Sequence, residues 1–189
     1  MDKKKIKRAV RMILEGIGED PDRQSLRKTP SRVAEMYEEI CKGLESPSPG
    51  RLLKALPLIE PTSATEKSEE TVIVKNIPFY SICEHHLLPF FGKANIAYVP
   101  DKKMAGLSKF ARLVDVLSAR PQVQERLTRQ IASSIWENLQ PKGVFVLVEA
   151  THLCMTMRGV KKGGSFVVTT CGKGKLKNGV KFYLNKNSA

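Results

Sequence analysis

Long apolar runs are missing from this chain of 189 residues. Nowhere do about 18 apolar residues follow one another, so no segment reads as a membrane-spanning helix. The N-terminus, Met1-Asp2-Lys3-Lys4-Lys5, lacks the short apolar stretch and small-residue cleavage site of a secretory signal. A cytoplasmic protein without membrane contact is therefore expected. Cysteine is scarce as well. In a reducing compartment Cys41, Cys83, Cys154 and Cys171 do not make a disulfide framework, which leaves plain burial or metal binding for each thiol. Histidine occurs three times and tryptophan once, and no acidic residue follows Glu149. That last stretch holds Arg158 and Lys161, Lys162, Lys173, Lys175, Lys177, Lys181 and Lys186. With a net charge of +13 the chain calls for an anionic partner, and nucleic acid, a phosphorylated small molecule or solvent alone are the readings to separate. A hydrophobic content of 41% is enough for the core of one domain with an appended helical arm.

Ile6, Val10, Ile13, Leu14 and Ile17 recur at helical spacing and predict an amphipathic helix near residues 3–17. Thr29-Pro30 reads as an N-cap followed by proline at the first helical position, opening a helix with Val33, Met36, Tyr37 and Ile40 on one face. Together these form a helical arm over 1–43. Pro47, Pro49, Pro57 and Pro61, amid serine, threonine and glutamate, mark 44–70 as a linker. From Thr71 the period changes, and 71–170 read as the main body. Residues 71–80 are strand-like, with Pro78 arguing for an edge or a bulge. Residues 93–99 make a second strand, and Ser108 caps a helix whose inner face is Phe110, Leu113, Val114 and Leu117. A second helix runs over about 121–139 with Leu127, Ile131, Ile135 and Leu139 inward. Residues 143–151, 152–157 and 165–170 are strands, the last entered through a Gly163-Gly164 turn. The order β-β-α-α-β-β predicts an α+β domain with helices on one face of an antiparallel sheet. Residues 171–189 form a basic tail.

The chemistry concentrates in two short segments. Cys83-Glu84-His85-His86 offers two ligands three apart, Cys83 and His86, on a loop able to aim both at one point. His152-Leu153-Cys154, read as strand, puts His152 and Cys154 on the same side, so a metal that reaches Cys154 also meets His152. These segments use every histidine of the chain and two of its four cysteines, a concentration that packing does not explain. Thiolate with imidazole favours zinc over magnesium or calcium. Cys83, His86 and Cys154 make three ligands, one short of a closed structural site, and an open fourth position holding water is the pattern of catalytic zinc, which lowers the pKa of that water toward about 7. His85 and His152 are then spare imidazoles suited to moving protons, although spacing alone leaves the ligand and acid roles of His85 and His86 interchangeable. Lys109 and Arg112 lie three apart in the first turns of a helix, where backbone N–H groups already favour anions, and Arg158 adds a cation four residues past Cys154. Glu125, with Gln124 beside it, suits the donor edge of guanine, because a carboxylate accepts two N–H groups at once. A nucleic-acid binder stabilised by zinc would instead call for four closed ligands and exposed aromatics for stacking bases, which these residues do not supply.

Phe79-Tyr80-Ser81-Ile82-Cys83-Glu84-His85-His86-Leu87-Leu88-Pro89-Phe90-Phe91-Gly92-Lys93 resembles the zinc loop of the GTP cyclohydrolase I family. The same holds for Gly106-Leu107-Ser108-Lys109, for Arg120-Pro121-Gln122-Val123-Gln124-Glu125-Arg126-Leu127, and for His152-Leu153-Cys154 followed by Met157-Arg158-Gly159-Val160. The match is dense over 71–170 and partial over 29–43. The resemblance implies a tunnelling fold, a four-stranded antiparallel sheet with two helices on one face, assembled as a homodecamer with sites between subunits. It implies Zn2+ on Cys83, His86 and Cys154, with His85 and His152 moving protons. The implied reaction opens the imidazole ring of GTP, releases formate, rearranges the ribose with help from Ser108, and closes to 7,8-dihydroneopterin triphosphate. Glu125 and Gln124 would hold the guanine edge. Lys109, Arg112 and Arg158 would hold the triphosphate, with Arg32 reaching in from another subunit. Glu35 stands where some bacterial members place a second triphosphate-binding lysine, and the segment from Cys171 departs from the usual end of the family. Another purine or pterin enzyme of the same fold would share the Gln124-Glu125 pair but has no need of this zinc loop.

Overall fold

Apolar residues alternate along four long strands, and their inward-facing sets meet two helices to make one core. The computed structural model describes residues 1–46, 48, 52–53, 70–102 and 104–179. Most of the expected linker over 44–70 and the end of the basic tail from 180 lie outside the described residues. The chain separates into two units, Met1–Lys42 and Gly43–Ala189.

The first unit holds α1 (Lys3–Gly16) and α2 (Thr29–Ile40). Asp2 caps α1 by accepting from the Lys5 amide, satisfying one of the unpaired N–H groups of a helix start. Thr29 is not a cap. It is the first residue of α2, Lys28 precedes it in helical conformation, and Pro30 sits in the first turn, where its missing N–H costs no helical bond. Val10 and Ala34 are buried, while Met12, Ile13, Ile17 and Met36 keep the apolar stripe of the arm exposed.

The second unit is built on a sheet of order β3-β1-β2-β4-β5, with β1 (Val72–Cys83), β2 (Pro89–Val99), β3 (Pro121–Gln122), β4 (Gly143–His152) and β5 (Val167–Gly174). Its four long strands run antiparallel, as expected, and β3 adds a two-residue fifth strand parallel to β1. The parallel piece arises where Ile82 and Cys83 pair with Pro121 and Gln122. α3 (Ser108–Ser118) packs on β1, and α4 (Gln124–Leu139) packs on β4 and β5. Between helices and sheet lie Phe79, Phe90, Ile96, Tyr98, Phe110, Leu113, Leu127, Ile131 and Ile135, all buried. Burying such a side chain fully stabilises by about 1.5–3 kcal/mol.

Pro78 pairs across with Lys93, and a bulge lies just before it, between Val74 and Ile77, where Asn76 takes a positive φ of 58° and donates its amide to the buried Asn95 side chain. Ser108 does not cap α3: Leu107 before it is already helical, and no side-chain capping bond forms. The strand expected over 152–157 is absent. β4 ends at His152, and Leu153–Thr156 form a single helical turn, α5. The reason is the ladder. His152 pairs with Phe90, one residue from the start of β2, so the chain beyond has no strand left to pair with. Its backbone turns on itself instead, Met157 donating to the Leu153 carbonyl at 3.1 Å. Cys171 to Gly174, placed in the tail by composition, belong to β5.

Candidate metal and catalytic site

The site forms where β2 begins, because strands on both sides of it deliver functional residues there. On one side β1 ends at the buried Cys83, and the chain turns back at once into β2. The turn is closed by the Leu87 amide donating to the Cys83 carbonyl and the Cys83 amide donating to the Leu88 carbonyl, each at 2.8 Å. Leu87 takes a φ of 54°, a strained conformation for a residue that carries a side chain. The Glu84 amide donates to the Gln122 carbonyl and its carboxylate pairs with Arg126, so the loop is tied to β3 and to the first turn of α4. On the other side β4 brings His152 opposite Phe90, and the turn of α5 carries Cys154 back toward the loop.

The result is a group of three donors. Cys83 Sγ, His86 Nδ1 and Cys154 Sγ all lie within 4.8 Å of one another, with the Cys83 sulfur 4.0 Å from the His86 nitrogen. Ligands of a tetrahedral zinc ion, with bonds of about 2.0–2.3 Å, stand roughly 3.5–3.8 Å apart, so a small contraction fits the group to zinc. The sulfur chemistry agrees. Burial and the neighbouring Cys83 push the Cys154 thiol up, with Arg158 pulling the other way, so two adjacent thiolates call for a cation between them. Of the two adjacent histidines it is His86 whose ring nitrogen joins the group. His85 stands edge-on to it, ring centres 6.3 Å apart, and is exposed.

His152 is held on two sides. Its ring stacks on Phe90 at 4.6 Å and 3° from parallel, and its Nε2 lies 2.8 Å from Gln124 Oε1. Burial pulls its pKa below the ordinary histidine value, and the Glu125 carboxylate pushes back. That opposition places Glu125, exposed in the first turn of α4, within electrostatic reach of the imidazole. Gln124 itself is buried. Thr128 and Thr169, which complete the surroundings of Gln124, are not among the residues singled out by sequence, and Phe90 enters there only as part of the loop motif. Their rings and hydroxyls are ordinary core chemistry until the register of β2, β4 and β5 is known.

Arg158 is exposed, and its charge acts on Cys154. Ser108, Lys109 and Arg112 are elsewhere. Phe110, in the same turns of α3, packs on Tyr98 at 5.2 Å, and Tyr98 lies eight residues along β2 from Phe90, roughly 26 Å at about 3.3 Å per residue. The C-terminal end of α3 is the end near the metal group, since Ser81 Oγ donates to the Ser118 carbonyl. One chain therefore carries its Cys–His–Cys group and its Ser108-Lys109-Arg112 cluster at opposite ends of the sheet. Arg32 belongs to the first unit, in the first turns of α2. A cavity of about 530 Å³ on the sheet, lined by Tyr80, Phe91, Lys93, Glu149 and Phe166 among others, holds none of the three metal donors.

A three-donor Cys–His–Cys group flanked by two further histidines, on a mainly antiparallel sheet backed by helices, defines an α+β protein with a group that could hold a metal ion. Residues 6–184 match the family model of GTP cyclohydrolase I. GTP cyclohydrolase 1 of Clostridioides difficile (strain 630) is 60% identical over 175 residues, covering 92% of this chain and 88% of that protein. The protein of the same name from Carboxydothermus hydrogenoformans is 58% identical over 175 residues, covering 92% and 87%. That from Pelotomaculum thermopropionicum is 54% identical over 180 residues, covering 95% and 92%. The chain belongs to the GTP cyclohydrolase I family.

Proposed function

We propose that the chain is a cytoplasmic, zinc-dependent enzyme that opens the imidazole ring of GTP, releases formate, rearranges the ribose and closes the product to 7,8-dihydroneopterin triphosphate. The observation that carries this reading is the Cys83, His86 and Cys154 group set beside His152 and within electrostatic reach of Glu125. A zinc ion on those three residues would supply a water whose pKa falls toward about 7. His152, pinned on Phe90, takes the proton that the attacking water gives up and returns it to the ring nitrogen as its bond to carbon breaks, and the exposed His85 serves the same transfer from the loop side. The Glu125 carboxylate accepts from the two donors of the guanine edge and so orients the base. Arg158 grips the triphosphate.

A homo-oligomer, with the decamer as the assembly, follows from the same reading. The Ser108, Lys109 and Arg112 cluster starts the helix that packs on Tyr98, and Tyr98 lies roughly 26 Å along β2 from Phe90 beside the metal group, farther than one nucleotide bridges. A neighbouring copy brings its cluster to the site, with Ser108 near the ribose. Arg32 joins from a neighbouring arm. Incubation of the purified protein with GTP tests the reaction. Formate and, after oxidation, a fluorescent pterin are expected in equal amounts; GTP left intact at full zinc loading overturns the assignment.

A further inference from the structure

The side-chain amide of Gln124 is buried, with three acceptors around its nitrogen and His152 against its oxygen. Its nitrogen lies 3.0 Å from the Val148 carbonyl, 3.0 Å from the Val167 carbonyl and 3.1 Å from Thr169 Oγ1. Carbonyl oxygens only accept, so the amino group has to face them, and the amide oxygen has to face His152. An amide oxygen also only accepts. His152 therefore presents an N–H at Nε2, and in the neutral ring the free lone pair belongs to Nδ1.

Two threonines lock this arrangement. Thr128 Oγ1 donates its single proton to the Gln124 main-chain carbonyl at 2.8 Å. Its 2.6 Å contact with Thr169 Oγ1 must then be donated by Thr169. Thr169 in turn accepts from the Gln124 amino group. The bonds run in one direction around a closed circuit, from the Gln124 side chain through Thr169 and Thr128 to the Gln124 backbone, an arrangement in which each bond polarises the next. The sheet supplies the geometry, since Val148 pairs with Thr169 across β4 and β5.

We propose that Gln124 is a positioning residue for His152 rather than a contact to the guanine edge, and that Thr169 and Thr128 hold its amide in the one orientation that fixes the Nε2–H tautomer. The proposal rests on the reading of His152 as a proton-transfer residue. Both N–H groups of this amide are spent on acceptors inside the protein and its oxygen is engaged by His152, whereas the carboxylate of the adjacent Glu125 is exposed.

Two measurements on the full-length, zinc-loaded protein test it. In 15N-histidine-labelled wild type without GTP, the His152 signals, assigned by their loss in His152→Ala, should show a protonated Nε2 and an unprotonated Nδ1. In kinetics, Gln124→Met should lower kcat at least tenfold, the scale at which orienting partners act, with KM for GTP within about twofold and zinc content unchanged. Thr169→Val should change kcat in the same direction by less, and Thr169→Ser should restore it. A protonated Nδ1 in wild type overturns the proposal, and so does a Gln124→Met enzyme with normal kcat and a raised KM, the signature of a lost guanine contact. The spectrum needs no variant to fold beyond its assignment. A wild type that released no formate would sink the reaction proposed above, while the substrate-free tautomer would still decide the circuit.

Discussion

Cys154→Ser puts a hydroxyl where the proposed zinc site needs a thiolate, and only two of the three candidate donors remain. Wild-type protein should carry about one zinc ion per chain, and Cys154→Ser should lose both the metal and turnover. Elemental analysis that found full zinc in that variant, with normal formate release, would remove Cys154 from the ligand set. His152→Ala separates the metal from the proton. No zinc donor is touched, so metal content should stay, while formate release should fall roughly a hundred- to ten-thousandfold, the usual loss for a general acid–base group. Near-normal release would make His152 a packing residue on Phe90. Arg158→Ala removes a guanidinium whose charge is felt at Cys154. A charge-assisted bond of this kind contributes about 1.5–3 kcal/mol, which corresponds to roughly ten- to hundredfold in kcat/KM. Neutralising Lys175 and Lys177 in the exposed turn after β5 should matter far less, because solvent-exposed charges are screened beyond about 8 Å at physiological salt. Steady-state kinetics on both variants decides between a phosphate site and a general basic surface.

At the scale of elements, the site depends on how closely β2 lies against β4. Gly92 pairs with Ala150, two residues along β2 from the contact of Phe90 with His152. A Cβ built at Gly92 would meet the Glu149 carbonyl oxygen at 1.8 Å and the Ala150 Cα at 2.7 Å, both backbone atoms that cannot swing aside. Gly92→Ala should therefore push the two strands apart and cost about 1–3 kcal/mol or more, with His152 displaced. Thermal unfolding should show the loss of stability, and a midpoint equal to wild type would mean that the strands are less tightly held than their register suggests. The loop before β2 is built the opposite way. It tolerates a strained Leu87 because its two backbone bonds, the tie to Gln122 and the ion pair of Glu84 with Arg126 over-determine it. A loop held on three sides presents Cys83 and His86 with little reorganisation.

Across the whole molecule, the metal group and the Ser108-Lys109-Arg112 cluster stand at opposite ends of one sheet, which makes subunit mixing the informative experiment. Lys109→Ala and Arg158→Ala homo-oligomers should each be weak. Reassembled together in equal amounts, they should regain activity, because about one site in four then pairs an intact Lys109 from one copy with an intact Arg158 from another. No recovery after verified exchange of subunits would place both residues in the same chain's site. Among the described residues no helix is long and apolar enough to cross a membrane, so the exposed Met12 and Ile13 of α1, with Ile17 just after it, are not read as a span.

Much of this site was legible in one dimension because its chemistry uses rare residues. Three histidines and two cysteines gathered in two segments point to a metal whatever the fold, and the periodicity of Phe110 to Leu117 and Leu127 to Leu139 shows which helix faces are buried. The argument from local geometry fared differently. His152 and Cys154 were placed on one strand, yet Cys154 rides a helical turn, because the length of β2 sets where the β4 ladder stops, and a strand cannot be read past the end of its partner. Which of His85 and His86 joins the metal group was decided by the hairpin that Leu87 closes. The role of Gln124 was beyond reach of the sequence, since its partners lie 24 to 45 residues away and meet it only through sheet register. Residue type determined what chemistry this chain can do. The antiparallel ladder, by fixing which ends of distant segments coincide, decided that His152 meets Gln124 inside the fold and that the start of α3 packs at the far end of β2 from the Cys–His–Cys group.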